Sequence, residues 1–161
     1  MGTRELVVET SSAAKTGRLG QRLAPLLRGG DVIALSGDLG SGKTTFIQGL
    51  ARGMGIRAVV TSPTFILVNR YPAPDGRVLQ HADCYRLANA PLEMWDIGLT
   101  DLYEGDDIVA IEWADRIPGL LPDDYLEIAF AYVDENRRRL RFVAHGERPA
   151  GLLAALATPT G

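Results

Sequence analysis

One cysteine, two lysines and no long apolar run set the first limits on this chain of 161 residues. A single cysteine, Cys84, excludes an internal disulfide, and at a strand position it reads as a small buried hydrophobe rather than a nucleophile. No apolar stretch reaches the roughly 18 residues of a membrane-spanning helix. The opening Met1-Gly2-Thr3-Arg4-Glu5 lacks the basic-then-apolar layout of a signal peptide. The expectation is a soluble, cytoplasmic protein with no membrane partner. Basic excess is also missing. The formal net charge of −3 argues against bulk electrostatic coating of nucleic acid while leaving contact through a local patch open. The one dense basic run, Arg137-Arg138-Arg139-Leu140-Arg141, reads as the solvated start of a strand after a turn, in preference to an RNA contact. Repeats, low-complexity tracts and linkers are absent, and 46% hydrophobic residues suffice for one core, so residues 1–161 read as a single domain.

Of the two lysines, one stands in Gly37-Asp38-Leu39-Gly40-Ser41-Gly42-Lys43-Thr44, which fits G-x-x-x-x-G-K-[ST] without a mismatch. Val32-Ile33-Ala34-Leu35 before it is strand-like, and Thr45-Phe46-Ile47-Gln48-Gly49-Leu50-Ala51 after it reads as a helix, which is the context the motif requires. Glycines let the backbone wrap a phosphate, and a helix N-terminus adds partial positive charge. Lys43 is placed to reach the β- and γ-phosphates and the Thr44 hydroxyl to ligate Mg²⁺.

Elsewhere, Arg4 to Glu9 reads as a first strand. Thr10-Ser11-Ser12 then offers caps for an amphipathic helix carrying Leu19, Leu23, Leu26 and Leu27. Two hairpins follow from alternating patterns and turn residues: Phe65 to Tyr71 with Val78 to Tyr85, and Leu126 to Tyr132 with Leu140 to Val143. Asn89 can cap a short helix through Trp95, Asp107 to Glu112 is typical of a central strand, and Pro149 can start a last helix. The predicted architecture is α/β, a mixed sheet with a parallel centre around the phosphate loop, antiparallel hairpin additions and flanking helices.

Ligands of such sheets bind at the carboxyl ends of strands, which singles out a few residues. Glu112 ends an apolar strand where a phosphate-loop protein places a carboxylate that helps hold Mg²⁺. Asp83 lies in His81-Ala82-Asp83-Cys84-Tyr85-Arg86, where period two gathers His81, Asp83 and Tyr85 on one face. Near a γ-phosphate, Asp83 has two open roles, orienting the attacking water or supporting the metal shell. Ser62-Pro63-Thr64 is a hydroxyl-rich loop suited to sensing a γ-phosphate, Trp113 is either core packing or a ligand or partner contact, and Arg86 is the arginine closest in sequence to these residues. No N-K-x-D pattern follows the loop, so ATP is expected rather than GTP. A small-molecule kinase and a nucleotide-gated binding module without essential hydrolysis are the alternative readings.

The set Gly37 to Phe46, Ser62-Pro63-Thr64-Phe65, His81-Ala82-Asp83-Cys84-Tyr85-Arg86-Leu87 and Ile111-Glu112-Trp113, in this order, resembles the TsaE family of bacterial tRNA threonylcarbamoyladenosine synthesis, over roughly residues 5 to 145. The resemblance implies a partner-dependent, Mg²⁺-requiring ATPase that works with TsaB and TsaD homologues and resets that complex between turnovers. It implies that the chain is not itself the threonylcarbamoyl transferase and meets tRNA indirectly or through the complex. It further implies that Gly37 to Thr45 and Thr16 bind ATP, that Lys43 and Asp83 serve hydrolysis, that Thr44 and Glu112 hold the metal, and that Ser62-Pro63-Thr64 is a switch-like loop. Ala82 and Cys84 replace larger apolar residues common in the family's His-x-Asp-x-Tyr-Arg motif, a change in packing rather than in chemistry.

Overall fold

Alternation and capping place the elements close to where the sequence sets them. The computed structural model describes residues 4–38, 40–58, 60, 68–84, 99–116 and 118–157. Its strands are β1 (Glu5–Thr10), β2 (Val32–Gly37), β3 (Val68–Pro72), β4 (Val78–Asp83), β5 (Ile108–Glu112), β6 (Tyr125–Tyr132) and β7 (Arg138–His145). Its helices are α1 (Ala13–Leu23), α2 (Lys43–Gly53), α3 (Leu99–Glu104) and α4 (Glu147–Ala157). Ser12 caps α1 by accepting from the Lys15 N–H, as a hydroxyl at this position should. The Leu26 and Leu27 continuation of that helix is not α-helical. Pro25 sits in a short 3₁₀ turn over Ala24–Leu26, because proline removes a donor and crowds the preceding turn. Ile56 to Ala58, β-branched at its start, forms no strand. The helix expected from Asn89 and the strand residues 65–67 lie outside the described residues.

The strands form one sheet in the order β1-β7-β6-β2-β5-β4-β3. β2 pairs in parallel with both β5 and β6, and β4 pairs in parallel with β5. β3 joins β4, and β7 joins β6 and β1, in antiparallel fashion. The chain therefore lays β5 on one side of β2 and β6 on the other. That reversal opens a crevice at the carboxyl end of β2, the usual ligand position in open α/β sheets.

Each sheet face has its own core. On one, Ile33, Leu35, Leu79, Ile108 and Ala110 meet α1, α2 and α4 through Leu19, Leu23, Phe46, Leu50 and Leu153. On the other, Val32, Ala34, Val109 and Ile111 pack with Ala82, Cys84 and Leu120, and Leu102 and Tyr103 of α3 lie against them. Phe46, in the first turn of α2, packs edge-on against Phe130 and Phe142 with ring centroids 5.8 and 6.3 Å apart. Burying such a ring is worth about 3–5 kcal/mol against alanine, so the helix that follows the phosphate loop is fastened firmly to the sheet.

Candidate functional site

The site begins where β2 runs out. Gly37 ends the strand at φ +135°, and a Cβ there would lie 2.6 Å from the Phe130 carbonyl oxygen on β6. Gly42, at φ +108°, caps α2 with no side-chain hydrogen bond, so the first N–H groups of the helix are not taken by a capping side chain. Between them, the Ser41 hydroxyl is buried without a hydrogen-bond partner among the described residues. Unclaimed helix donors and an orphaned hydroxyl in a glycine turn make an anion cradle. Asp38 and Gly40 are exposed on its rim, Thr45 is half-buried in the first turn of α2, and Leu39 lies outside the described residues.

Lys43 is buried, and its side chain folds back over the loop. Nζ donates to the carbonyl of Gly37 and, at 3.0 Å, to that of Asp38, and it stands 3.9 Å above the Trp113 ring centroid. Burial lowers the lysine pKa, while Glu112, Asp115, Asp38 and Asp83 counter that shift by raising it.

Opposite the helix start, Thr44 Oγ1 donates to Glu112 Oε1 at 3.0 Å, and Glu112 Oε2 lies 2.6 Å from His81 Nε2. Burial pushes the Glu112 carboxyl up. The His81 hydrogen bond and charge, the Thr44 hydroxyl and the Lys43 ammonium outweigh that effect and hold it below the usual carboxylate range. Glu112 is thus an ionised, buried carboxylate oriented from both sides. Asp83 is its register partner across the β4–β5 pair, and both lie on the α2 side of the sheet with His81. The polar column expected from period two is therefore present for His81 and Asp83, whereas Tyr85 lies outside the described residues.

Thr16 sits on α1 at the same place. Its hydroxyl lies 2.7 Å from that of Thr10, at the end of β1, and its methyl lies 3.6 Å from where a Cβ on Gly42 would stand. Ser62, Pro63, Thr64 and Arg86 fall outside the described residues. Cys84 is buried. Burial first, then the charges of Asp83 and Asp115, push its thiol up to about 12, so it stays protonated and inert at neutral pH.

Two contributors escaped the sequence reading. Arg138, at the head of β7, donates from Nη2 to the Gly40 carbonyl at 3.2 Å and stacks 4.5 Å over the Tyr132 ring. Thr10 supports Thr16. The sequence marks Arg138 only as part of a basic run and Thr10 only as a capping hydroxyl, because β6, β7 and the loop meet only through the strand order.

For a divalent ion, Thr44 and Glu112 supply one hydroxyl and one carboxylate, and no group of three or more His, Cys, Asp or Glu side chains able to hold a metal occurs among the described residues. Two oxygen donors beside a phosphate cradle suit Mg²⁺, which prefers one or two protein oxygens completed by water and phosphate. They do not suit a metal that requires a full protein cage.

The chain resembles known proteins along most of its length. The sequence model of the family described as threonylcarbamoyl adenosine biosynthesis protein TsaE matches residues 10–140. The tRNA threonylcarbamoyladenosine biosynthesis protein TsaE of Bacillus subtilis is 36% identical over 146 residues, 90% of this chain and 89% of that protein. The Aquifex aeolicus protein of the same name is 37% identical over 140 residues, covering 86% and 94%. The Streptomyces coelicolor one is 45% identical over 111 residues, covering 68% and 74%. The crystal structure of Bacillus subtilis YdiB superposes with a TM-score of 0.81 at 32% identity, covering 98% of this chain and 96% of that one. With the phosphate cradle, the Thr44–Glu112 pair and the strand order all in place, this chain belongs to the TsaE family of tRNA threonylcarbamoyladenosine biosynthesis proteins.

Proposed function

We propose that this chain binds ATP with Mg²⁺ in the Gly37–Thr45 loop and hydrolyses it to support threonylcarbamoyladenosine formation in tRNA, acting with TsaB and TsaD homologues and resetting their complex between turnovers. The observation that carries the reading is the hydrogen bond, 3.0 Å, between half-buried Thr44 and buried Glu112, set against a cradle whose lysine is already aimed across the loop. An ionised Glu112 holding a hydroxyl from the first helical turn is the arrangement that positions a cation beside a bound triphosphate. Mg²⁺, when bound, would supply positive charge to offset the charge developing on the phosphates. Lys43 adds a fixed positive charge, Thr16 and Arg138 close the sides of the loop, and Asp83, beside Glu112, orients the attacking water. Ser62-Pro63-Thr64 serves as the switch-like loop, and Trp113 and Arg86 serve as ligand or partner contacts. The whole chain acts as one cytoplasmic domain.

Nucleotide affinity and phosphate release, measured with and without the TsaB and TsaD homologues, test this reading. Removing the Lys43 ammonium takes away charge-assisted hydrogen bonds worth about 1.5–3 kcal/mol, so Lys43→Ala is expected to weaken ATP binding by about 10–100-fold. Asp83→Ala is expected to bind normally and lose turnover. Equal affinity losses in the two variants would remove the separate roles, and a phosphorylated metabolite in place of free phosphate would make the chain a kinase.

A further inference from the structure

The charges of this chain are segregated along the sequence. No aspartate or glutamate occurs from Thr10 to Gly30 or from Leu39 to Pro74, the segments that carry α1 and α2. Between Asp75 and Glu135 stand fifteen of the twenty carboxylates and three of the seventeen Lys and Arg residues. In the fold, α1 and α2 cover one face of the sheet, while Asp101 and Glu104 of α3, followed by Asp106 and Asp115, are exposed on the opposite side. A net charge of −3 thus conceals a positive helical layer.

On that layer Lys15, Arg18 and Arg22 are exposed at i, i+3 and i+7 of α1, one stripe about 10 Å long. Arg52 of α2 is exposed on the α2-facing flank of α1, its guanidinium 2.7 Å from where a Cβ on Gly17 would stand, while Arg22 on the other flank donates to the Leu156 carbonyl of α4. Among the described residues none of these four takes part in a salt bridge. Arg137, before β7, and Arg139 and Arg141 within it differ, being matched to Asp134, Glu9 and Glu5. Three of the four arginines in the dense run are therefore matched, Arg138 being held by carbonyl oxygens, and of the exposed cations that take part in no salt bridge among the described residues, four lie on α1 and α2, with Arg4, Arg28, Arg57 and Arg70 elsewhere.

We infer that the α1–α2 face binds the phosphodiester backbone of RNA directly. Two features choose nucleic acid over an acidic protein surface. Tight protein interfaces need buried aromatic or large aliphatic anchors. The large exposed hydrophobics among the described residues are Val7 on β1 and Tyr132 on β6; neither belongs to α1 or α2, and the Tyr132 ring is covered by the Arg138 guanidinium. Three of the four cations are arginines, whose planar forks match phosphate oxygens in pairs. A positive surface without anchors supplies sequence-independent backbone affinity, which is how phosphates are held. This inference goes beyond ATP hydrolysis and does not depend on it.

The test is fluorescence anisotropy of a labelled tRNA transcript with the full chain, without nucleotide, across a salt series. With three or four phosphate contacts, the log–log salt slope is expected to be about −2 to −4. Lys15→Glu combined with Arg18→Glu is expected to weaken binding at least tenfold at low salt and to flatten the slope by about 1–2. The Lys15 change places a glutamate three residues after the Ser12 cap, a capping box, so the variant keeps its helix, and thermal melting checks this. Arg139→Glu with Arg141→Glu, the same change in net charge on the neutralised strand, is expected to bind within about twofold of the parent. Absence of RNA binding, equal losses in both double variants, or binding to a polyglutamate peptide as tight as to RNA would overturn the inference. Self-association abolished by the α1 changes, in place of RNA binding, would do so as well.

Discussion

Trp113 follows Glu112 directly and has φ +61°, the one residue other than glycine with positive φ among the described residues. A side chain in that region costs about 1–2 kcal/mol, and such strain gathers at functional sites. Here it turns the chain sharply after β5 and sets the indole under the Lys43 ammonium. Trp113→Gly and Trp113→Ala both lose the ring, but only glycine relaxes the backbone. Glycine is therefore expected to leave the protein more stable than alanine by about 1 kcal/mol in urea titration, and equal stabilities would remove the strain. Glu112 yields a second test. Its folded pKa lies below the ordinary 4.5, so its contribution is present above that value and disappears as pH falls through the lower, folded one. The stability gap between the parent and Glu112→Gln, which keeps hydrogen-bonding groups for Thr44 and His81, is expected to narrow as pH falls below 4.5 and to hold constant above about 6. Lys43, Thr44 and Glu112 were legible in the sequence because a fixed spacing and a strand end announce them. Thr10 and Arg138 were not, since they reach the loop only through the neighbours their strands acquire.

At the scale of elements, the α1–α2 pair is packed through glycines rather than through large apolar side chains. A Cβ on Gly49 would fall 1.9 Å from the Gly17 carbonyl oxygen, and one on Gly20 would fall 2.3 Å from that of Phe46. The helices touch backbone to backbone, which brings Thr16 of α1 against the loop that opens α2. Gly49→Ala must push them apart and is expected to cost about 1–3 kcal/mol or more, with nucleotide affinity falling as Thr16 moves away. Gly151 is exposed in α4, and a Cβ added there would meet nothing within 4 Å. Gly151→Ala is therefore expected to raise stability by about 0.5–1 kcal/mol through helix propensity alone. Opposite signs in chemical denaturation would confirm contact, rather than glycine content, as the deciding factor. Periodicity located α1, α2, α4 and the two hairpins, because apolar spacing and turn residues are local. It gave no sign that β6 inserts beside β2, since strand order depends on which apolar faces meet, and it carried α1 past Pro25 because Leu26 and Leu27 keep the spacing after the hydrogen bonding has changed.

For the whole molecule, the loop's position decides how ligand binding is felt. It hangs between β2, paired on both sides at the sheet centre, and α2, fastened by Phe46 to Phe130 and Phe142. Fraying an edge strand such as β1 or β3 leaves β2 and the loop paired, so unfolding the site requires opening the centre of the sheet. Binding free energy should then add to global stability. At a ligand concentration 100 times its Kd, the gain is about 2.7 kcal/mol, and for a chain of this length each kcal/mol moves Tm by about 2–4 °C. Saturating Mg²⁺ and a non-hydrolysable ATP analogue are therefore expected to raise Tm by about 5–11 °C in one cooperative transition. Chelating the cation should remove part of that rise, through Thr44 and Glu112. Lys43→Ala should lose most of it at the same concentrations, while Asp83→Ala should keep it, because its proposed role falls after binding. A rise confined to an early, separate unfolding step would show instead that the cradle opens independently of the sheet, and that the Phe46 contacts do not couple the two.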